Sequence, residues 1–226
     1  MISVKNLTKA YGEKVVYKDF NIDIEENKIL VVLGESGSGK TTLLNVLAGL
    51  TDYEGQITGE ISSVSMLFQK DFLVPNLTVE QNLSLVCDGD RGLKMLEKFG
   101  LLQSAKNYPK SLSAGMSRRV ALIRAMLYKS SLLLMDEPTN SLDIALKKLT
   151  YEMVKKQKFD DKKTVVIVTH DVDEALSLAD RVVVLKNGEL VYSYNFKTDL
   201  TNRDITGEEC NAVRKNLIDN LLGNKI

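Results

Sequence analysis

The sequence predicts an α/β protein whose core is a parallel sheet, with an antiparallel β layer near the N-terminus and an inserted helical segment. Three observations predict this class. The stretches 29–33 and 132–135 are continuously apolar, and 164–169 has four apolar residues between two threonines, as in strands that are covered on both faces. Segments with helical periodicity separate the later strands, which favours right-handed parallel crossovers. The chain of 226 residues is long enough to bury a substantial core within one domain.

The first part of the chain predicts two antiparallel strands, 2–7 and 15–24, around a turn at Tyr11-Gly12. Apolar and polar residues alternate in the second strand, where one face carries Phe20, Ile22 and Ile24. Because such alternation is typical of a sheet with one buried face, we expect a half-exposed antiparallel layer. The apolar stretch 29–33 then begins the parallel sheet.

A glycine-rich loop follows that stretch and leads into a helix; its residues are Gly34, Glu35, Ser36, Gly37, Ser38, Gly39, Lys40, Thr41 and Thr42. The three glycines permit backbone angles closed to other residues, so successive N–H groups can point at phosphate oxygens. Lys40 would reach the β- and γ-phosphates, and the Thr41 hydroxyl would bind Mg²⁺. A merely flexible loop is the alternative. The strand before the loop and the helix after it favour a nucleoside triphosphate site.

The middle of the chain predicts two more strands, 53–57 and 61–68, and then a helical insertion. Residues 77–108 are helical with short loops, and Pro75 and Pro109 mark the two ends of this segment. A helix that begins near residue 115 continues the insertion. Its apolar stripe consists of Met116, Val120, Ile123 and Leu127, and its arginines at 118, 119 and 124 lie outside that stripe.

The last part predicts strands 132–136 and 164–169 with a helix over 142–156 between them, and then a hairpin of 181–186 and 189–194 around Asn187-Gly188. Thr206 and Glu209 have capping-box spacing and predict a final helix. We therefore expect one domain with three parts. They are an α/β core over 1–75 and 130–200, a helical subdomain over 76–129, and a C-terminal helical tail over 201–226.

Polar residues follow three of the predicted strands directly. Asp136 and Glu137 end one of them, His170 follows the next, and Gln69 ends the strand at 61–68. Because ligands bind at the carboxyl ends of parallel strands, we expect these side chains to share one site. Asp136 suits Mg²⁺, with water between them, and Glu137 suits activation of an attacking water. Taken singly, each has an ordinary alternative as a solvated loop or surface residue.

Taken in order, these motifs resemble those of the ATP-binding-cassette (ABC) ATPases over nearly the full chain. Residues 34–42 are similar to the Walker A loop, Gln69 to the Q-loop, Leu112–Met116 to the signature, 132–137 to Walker B, Ser141-Leu142-Asp143 to the D-loop and His170 to the switch histidine. Tyr11 matches the aromatic residue that stacks on adenine. The resemblance implies the P-loop ABC-ATPase fold with a RecA-like core. It also implies ATP and Mg²⁺ as cofactors and catalytic roles for Glu137, His170, Gln69 and Asp143.

The resemblance further implies a head-to-tail dimer, either a homodimer or a pseudo-dimer with a second cassette. In it Ser113, Ala114 and Gly115 of one chain would bind the γ-phosphate held by the other. Two residues depart from the common signature, because Ala114 replaces a glycine and Met116 a glutamine. Met116 and the segment 169–176 are similar to importers of the nitrate, sulfonate and taurine type, although Thr139 replaces the aromatic residue usual in that branch.

The expected function is the ATP-driven motor of a transporter, with an importer preferred. A transmembrane permease subunit, and an extracytoplasmic substrate-binding protein, would be its partners. The permease would dock at residues 69–75, where Phe72, Leu73 and Val74 form either an exposed apolar groove or an ordinary buried turn. An exporter motor is one alternative. A soluble ABC ATPase of DNA repair or translation is another, but the long coiled-coil insertion or second cassette usual in that class is missing from the sequence.

Composition narrows the partners and the location. Thirty basic and thirty acidic residues give a net charge of zero, which argues against general binding to nucleic acid. Cys87 and Cys210 lie far apart, so we expect neither a disulfide nor a thiolate metal site. Without a signal-like N-terminus or an apolar run of about 20 residues, we expect a cytoplasmic protein bound peripherally to the inner face of the cell membrane.

Overall fold

The computed structural model describes residues 1–223 and contains two sheets surrounded by helices. The strands are β1 (Ile2–Tyr11), β2 (Lys14–Ile24), β3 (Ile29–Leu33), β4 (Glu54–Thr58), β5 (Val64–Leu67), β6 (Leu132–Asp136), β7 (Thr164–Thr169), β8 (Arg181–Lys186) and β9 (Glu189–Asn195). The helices are α1 (Lys40–Leu47), α2 (Val79–Ser84), α3 (Arg91–Lys98), α4 (Ala114–Leu127), α5 (Ile144–Phe159), α6 (Val172–Leu178) and α7 (Glu208–Leu222). None of these helices is long and apolar enough to cross a membrane.

The larger sheet has six strands in the order β5-β6-β7-β3-β8-β9. Its first five strands are parallel, and β9 closes the edge antiparallel to β8. All residues of β3, β6 and β7 are buried, as expected for strands with helices or another sheet on both faces. The predicted parallel core is therefore confirmed. The carboxyl ends of β3, β5, β6 and β7 meet at one edge.

The smaller sheet has the order β2-β1-β4 and is antiparallel throughout. Ile2 pairs with Ile24, and Val4 pairs with both Ile22 and Ile57. One face packs with α1 against the larger sheet, where the buried side chains form one hydrophobic cluster. A second cluster fills the opposite side of the larger sheet and joins it to the helices from α2 to α7. The half-exposed antiparallel layer is as predicted.

Helices α2, α3 and α4 occupy the sequence between β5 and β6. The predicted helical stretch 77–108 contains two short helices and two 3₁₀ turns, Leu102–Ser104 and Pro109–Ser111. Gly89 and Gly100 interrupt it with φ of 64° and 66°, in the left-handed region where glycine is favoured. Along α4 the predicted stripe is buried at Val120, Ile123 and Leu127 and partly buried at Met116. The boundaries of the helical subdomain over 76–129 remain a prediction.

Two local predictions are wrong. The strand expected over 61–68 begins only at Val64, because residues 59–63 form the connection from β4. The capping box expected at α7 does not form either, since Gly207 occupies the N-cap position and the Thr206 hydroxyl donates to Asp204 instead. The Glu209 carboxylate accepts from Tyr194 O–H and from two backbone N–H groups, so it ties α7 to β9. Residues 224–226 of the predicted tail lie outside the described residues.

Candidate active site

A cavity of about 520 Å³ opens at the carboxyl edge of the parallel strands. Its lining comes from distant parts of the sequence and consists of Tyr11, Lys14, Val16, Ser36, Gly37, Gly39, Lys40, Thr41, Thr42, Gln69, Asp136, Glu137 and His170. The fold thus brings residues of the loop at 34–42 and the polar strand ends to one cavity, and their functional roles stay a prediction. Lys14 and Val16, on β2, were not predicted. Their only sequence signal was their closeness to Tyr11.

The glycine-rich loop owes its shape to two different kinds of glycine. Gly37 and Gly39 have φ of 82° and 110°, in the left-handed region. Gly34 does not, so the prediction that it needs a special backbone angle is wrong. A side chain at Gly34 would instead collide with the Leu185 carbonyl and lie 2.6 Å from Ser38 Oγ. Close packing against β8 therefore explains this glycine, and Glu35, Ser36 and Ser38 complete the loop.

Lys40 lies at the start of α1 and turns back over the loop. Its Nζ donates hydrogen bonds to the carbonyl oxygens of Gly34 at 2.6 Å and Glu35 at 2.9 Å. The side chain is buried, and burial lowers the pKa of the ammonium, while the charges of Glu137 and Asp136 oppose that shift. A cation held among loop N–H groups and a helix N-terminus is a suitable partner for phosphate.

Thr41 and Asp136 meet beside the loop. The Thr41 hydroxyl donates to Asp136 Oδ2 at 2.8 Å. Burial raises the pKa of Asp136, and the Glu137 charge acts in the same direction. Hydroxyl and carboxylate oxygens are ligands that suit Mg²⁺, which usually keeps few protein ligands and shares substrate phosphates. Within residues 1–223 no cluster of three His, Cys, Asp or Glu side chains could hold a metal alone, and this donor set fits such a shared ion.

Glu137 and His170 are in direct contact. His170 Nδ1 lies 2.9 Å from Glu137 Oε1, and Asn140 Nδ2 donates to Glu137 Oε2 at 3.2 Å. The Glu137 side chain is 19% exposed and that of His170 66%, so the carboxylate faces the cavity from a partly sheltered position. Glu137 has φ of 47°, which is uncommon for a residue other than glycine. Its N–H donates to Val168 O at 2.9 Å, which fixes this turn, at the end of β6, against β7.

Arg118 fastens α4 to this edge of the sheet, and the sequence analysis assigned it no role. Its guanidinium donates to the carbonyl oxygens of Phe68, Asp136 and Glu137, at the ends of β5 and β6. The residue is only 8% exposed. A buried arginine outside the apolar stripe of a helix requires such polar partners. Its place outside that stripe indicated a solvent-facing side chain instead, and no sequence signal pointed to Asn140 either.

The predicted signature residues lie outside the cavity. Ser113 is exposed, and its hydroxyl accepts a hydrogen bond from Met116 N at 3.2 Å as the N-cap of α4. Ala114 and Gly115 begin the helix and line a neighbouring cleft of about 180 Å³ together with Gln69 and Glu137. Ala114 does not have a left-handed φ, so its methyl group causes no backbone strain.

The other two predicted residues take peripheral positions. Asp143 lies outside the cavity and caps α5, where its side chain accepts from Leu146 N at 2.9 Å. Tyr11 lies on the rim with 49% of its surface exposed, and Lys9 Nζ is 4.7 Å from the ring centroid. An open ring of this kind can stack on a planar base.

This fold and this cavity define an α/β protein that binds a nucleoside triphosphate. The chain matches the ABC transporter family over residues 17–140. It is 40% identical over 194 residues to the aliphatic sulfonates import ATP-binding protein SsuB 1 of Paracoccus denitrificans, covering 83% of this chain and 80% of that protein. It is also 40% identical over 195 residues to SsuB 2 of Frankia alni, with 84% and 78% covered.

Solved structures agree. The dimeric post-hydrolysis state of the ATP-binding cassette MJ0796 bound to ADP and Pi superposes with a TM-score of 0.79 at 30% identity, covering 88% of this chain and all of that one. A further dimeric structure of the same cassette has a TM-score of 0.78 with the same coverage. The chain belongs to the ABC transporter family and is an ATP-binding-cassette ATPase. The predicted fold and enzyme class are thereby confirmed.

Proposed function

We propose that this chain is the ATP-hydrolysing motor of an ABC importer and works through a separate membrane permease. The observation that carries this proposal is the convergence of Lys40, the Thr41–Asp136 pair and the Glu137–His170 pair on one cavity. The names of the sulfonate relatives favour import over the exporter alternative. The soluble DNA-repair or translation alternative has no such support.

Binding of ATP is assigned to the loop and to the residues at its rim. Backbone N–H groups of residues 34–42 and the Lys40 ammonium would hold the phosphates, and the Tyr11 ring would stack on adenine. Thr41, Asp136 and Gln69 would hold Mg²⁺, which would neutralise charge on the phosphates. When ATP binds, the Lys40 ammonium would leave the Gly34 and Glu35 carbonyls and bind phosphate oxygens instead. This exchange is favourable, because hydrogen bonds to charged acceptors are stronger than those to neutral ones.

Hydrolysis is assigned to Glu137 as the general base. Its carboxylate would take a proton from the water that attacks the γ-phosphate, because it is the partly sheltered acid beside Asp136. His170, which contacts Glu137 Oε1, would hold the water and γ-phosphate in line. Asn140, which donates to Oε2, would fix the second carboxylate oxygen. Gln69 would help to position the water.

A dimer would complete the site. The exposed N-terminal end of α4, with Ser113, Ala114 and Gly115, presents backbone N–H groups and a positive helix end. In a head-to-tail dimer that end would bind the γ-phosphate held by the second cassette. The dimeric state of the solved cassettes supports a dimer for this chain as well. Asp143, the N-cap residue of α5, would act across the same interface. Either a homodimer or a pseudo-dimer meets these requirements.

The permease would dock at residues 69–75. Phe72 is 62% exposed and Val74 38%, whereas Leu73 packs into the core. The Phe72 ring lies edge-on to Phe68, with centroids 5.2 Å apart, and this contact holds the exposed ring in position. This arrangement favours the apolar docking groove over the buried turn. Rotation of the helical subdomain over 76–129 would transmit closure to the permease, with the chain at the inner face of the cell membrane.

The names of the relatives also suggest the cargo. An aliphatic sulfonate, delivered by an extracytoplasmic substrate-binding protein, is the substrate class that we propose. The motor itself would contact nucleotide and permease but not cargo. For this reason no residue of the described chain is assigned to sulfonate.

Substitution of Glu137 tests the assignment. Glu137→Gln keeps size and hydrogen-bonding capacity but removes the basic oxygen, so turnover should fall by roughly 10²–10⁴-fold while ATP still binds and closes the dimer. Asp136→Asn should instead weaken Mg²⁺ dependence and nucleotide retention. His170→Ala should behave like the Glu137 variant. Glu152→Gln, an exposed acid on α5, serves as the control.

The measurements are ATPase rate and gel filtration with Mg²⁺ and ATP. Near-normal hydrolysis by Glu137→Gln would remove it as the base. Loss of ATP binding in that variant would reassign it to the metal site.

A further inference from the structure

A buried carboxyl group with no role in the cavity lies behind it. Glu174, in the first turn of α6, is only 1% exposed, although acidic side chains are rarely buried without a charged or hydrogen-bonding partner. Its Oε1 has no hydrogen-bond partner within residues 1–223. Such an unpartnered buried acid costs folding free energy, and its retention calls for an explanation.

Two threonine hydroxyls face this carboxyl group. They belong to Thr139 and Thr169, which are both 2% exposed. Thr139 lies two residues after Glu137, and Thr169 directly precedes His170. The Glu174 carboxyl therefore sits between the loop that carries the proposed base and the strand end that carries the proposed switch histidine.

We propose that Glu174 is a positioning residue for ATP hydrolysis, holding the loop of Glu137 against the strand end of His170. It touches neither nucleotide nor water and acts through Thr139 and Thr169. The distance that it would set is the 2.9 Å between Glu137 Oε1 and His170 Nδ1. This inference rests on the roles proposed above for those two residues.

The protonated form of Glu174 is suited to this task. A neutral carboxyl can donate to one threonine hydroxyl and accept from the other, whereas a carboxylate can only accept. Burial raises the pKa of Glu174 to about 7, although the nearby Thr169 and Thr139 hydroxyls act to lower it. The group therefore changes its charge near neutral pH. Raising the pH would replace the two-sided connection with an unneutralised buried charge.

The surrounding cations do not fully neutralise an ionised Glu174 carboxylate. Lys147, on α5, raises the acidity of Glu174 but already pairs with Asp171 at 3.0 Å. Arg214, on α7, pairs with Asp173. The Tyr151 hydroxyl, also on α5, has a raised pKa because of burial and the charges of Glu174 and Asp171, so it stays neutral. Lys147 and Arg214 thus each have an acid of their own.

The test is the pH profile of ATP hydrolysis by the full chain and by Glu174→Gln between about pH 6 and pH 8.5. Glutamine stays neutral and can still donate and accept, so the ratio of variant kcat to wild-type kcat should rise with pH. This ratio can rise by at most about 30-fold over the range. The protonated fraction of a group with a pKa of about 7 falls from roughly nine-tenths at about pH 6 to about 3% at about pH 8.5. KM for ATP should be unchanged. The ratio cancels the titration of ATP itself.

Matched variants keep the test decisive. Glu152→Gln should reproduce the wild-type profile. If Glu174→Gln fails to fold, Thr139→Val against Thr139→Ser tests the same contact from its other side. Valine removes the hydroxyl and should lower kcat, while serine keeps it and should preserve kcat and its pH dependence.

Specific outcomes would overturn the inference. They are superimposable profiles for wild type and Glu174→Gln, an effect confined to KM, or equal kcat for the two Thr139 variants. Failure of the proposed function has a different signature, because it requires near-normal hydrolysis by Glu137→Gln. If Glu137→Gln is inactive and Glu174→Gln keeps the wild-type profile, only the inference about Glu174 fails.

Discussion

The phosphate-loop edge of the sheet and the N-terminal end of α4 are built in different ways. At the sheet edge the functional side chains are already bonded to one another or to the backbone, as in Thr41 with Asp136 and Glu137 with His170. At the helix end Ser113 is exposed, and its hydroxyl serves only its own helix. The first region is organised within one chain, whereas the second presents a surface that needs an anion from elsewhere.

This difference indicates how a family of motors can separate binding from turnover. Under the proposed function, one chain would hold ATP by itself, because Lys40 and the loop are already in place. Turnover would then require a second chain to bring its helix end to the γ-phosphate. Substitutions at the two regions should accordingly have separate effects, on nucleotide affinity in the first case and on dimer-dependent rate in the second.

The largest expected effect comes from breaking the first region at Lys40. Lys40→Ala removes a charge-assisted contact to phosphate worth a few kcal/mol, so ATP affinity should fall by roughly 10²-fold or more. The fold should remain intact, since its two hydrogen bonds go to loop carbonyls. Lys14→Ala, on the rim of the same cavity, should cost far less. Unchanged ATP affinity of Lys40→Ala by calorimetry would reject the loop as the phosphate site.

The next effect concerns the link between the two regions. Arg118→Ala leaves the carbonyls of Phe68, Asp136 and Glu137 without their buried donor, and the free energy of unfolding should fall by about 3 kcal/mol. Arg119→Ala is the matched control, because this partly buried neighbour contacts two other carbonyls and should cost about 1 kcal/mol. Urea denaturation of both variants measures the difference. Equal losses would show that Arg118 does not carry the connection.

A third variant alters the second region alone. Ser113→Ala should leave ATP affinity unchanged but lower dimer-dependent turnover by about 10-fold, because a contact to the partner's phosphate is lost. Thr78→Ala, which removes the equivalent cap of α2, should match its stability loss of about 1 kcal/mol without slowing turnover. Activity should be measured over a dilution series, where wild-type rate should rise more than linearly with protein concentration. Specific activity independent of dilution in a monomeric protein would reject the shared site.

The smallest effect is expected at Ala114. Because its backbone is not left-handed, Ala114→Gly relieves no strain, and the ATP-dependent dimer should change in affinity by less than about threefold. Gel filtration across a range of concentrations with Glu137→Gln as background measures this. Tenfold tightening would show instead that the methyl group obstructs the approach of phosphate.

The sequence was sufficient for the parallel core, because the runs 132–135 and 165–168 are apolar throughout and each is followed directly by polar residues. It was also sufficient for the loop at 34–42, whose glycines and lysine have few other uses in that pattern. Close packing between segments that are distant in the sequence could not be predicted from it. Gly34 is required by the Leu185 carbonyl, more than a hundred residues away in sequence, and no local pattern encodes such an approach.

Polar contacts between distant segments were likewise hidden. Arg118 and Glu174 both look like solvent-facing charges on amphipathic helices, yet both are buried against strand ends. Glu209 has the spacing of a capping-box residue, but its carboxylate accepts from Tyr194 on β9 and not from the N-terminal end of its own helix. The tertiary contact therefore replaces the local one. Periodicity predicts which face of a helix carries a charged residue. The hydrogen-bonding partners of that residue depend on the strand order of the sheet, which periodicity does not predict.

The order of that sheet also affects how the protein is made. The strand before the phosphate loop, β3, lies between β7 and β8, so Ile29 pairs with Val165 and Leu30 with Arg181. On the ribosome β3 is synthesised early, yet both of its neighbours appear only after most of the chain has emerged. Until then an apolar strand remains without hydrogen-bonding neighbours on either side, a state prone to misassociation. Nascent chains of this protein should therefore depend on chaperone protection until about residue 186 has left the exit tunnel.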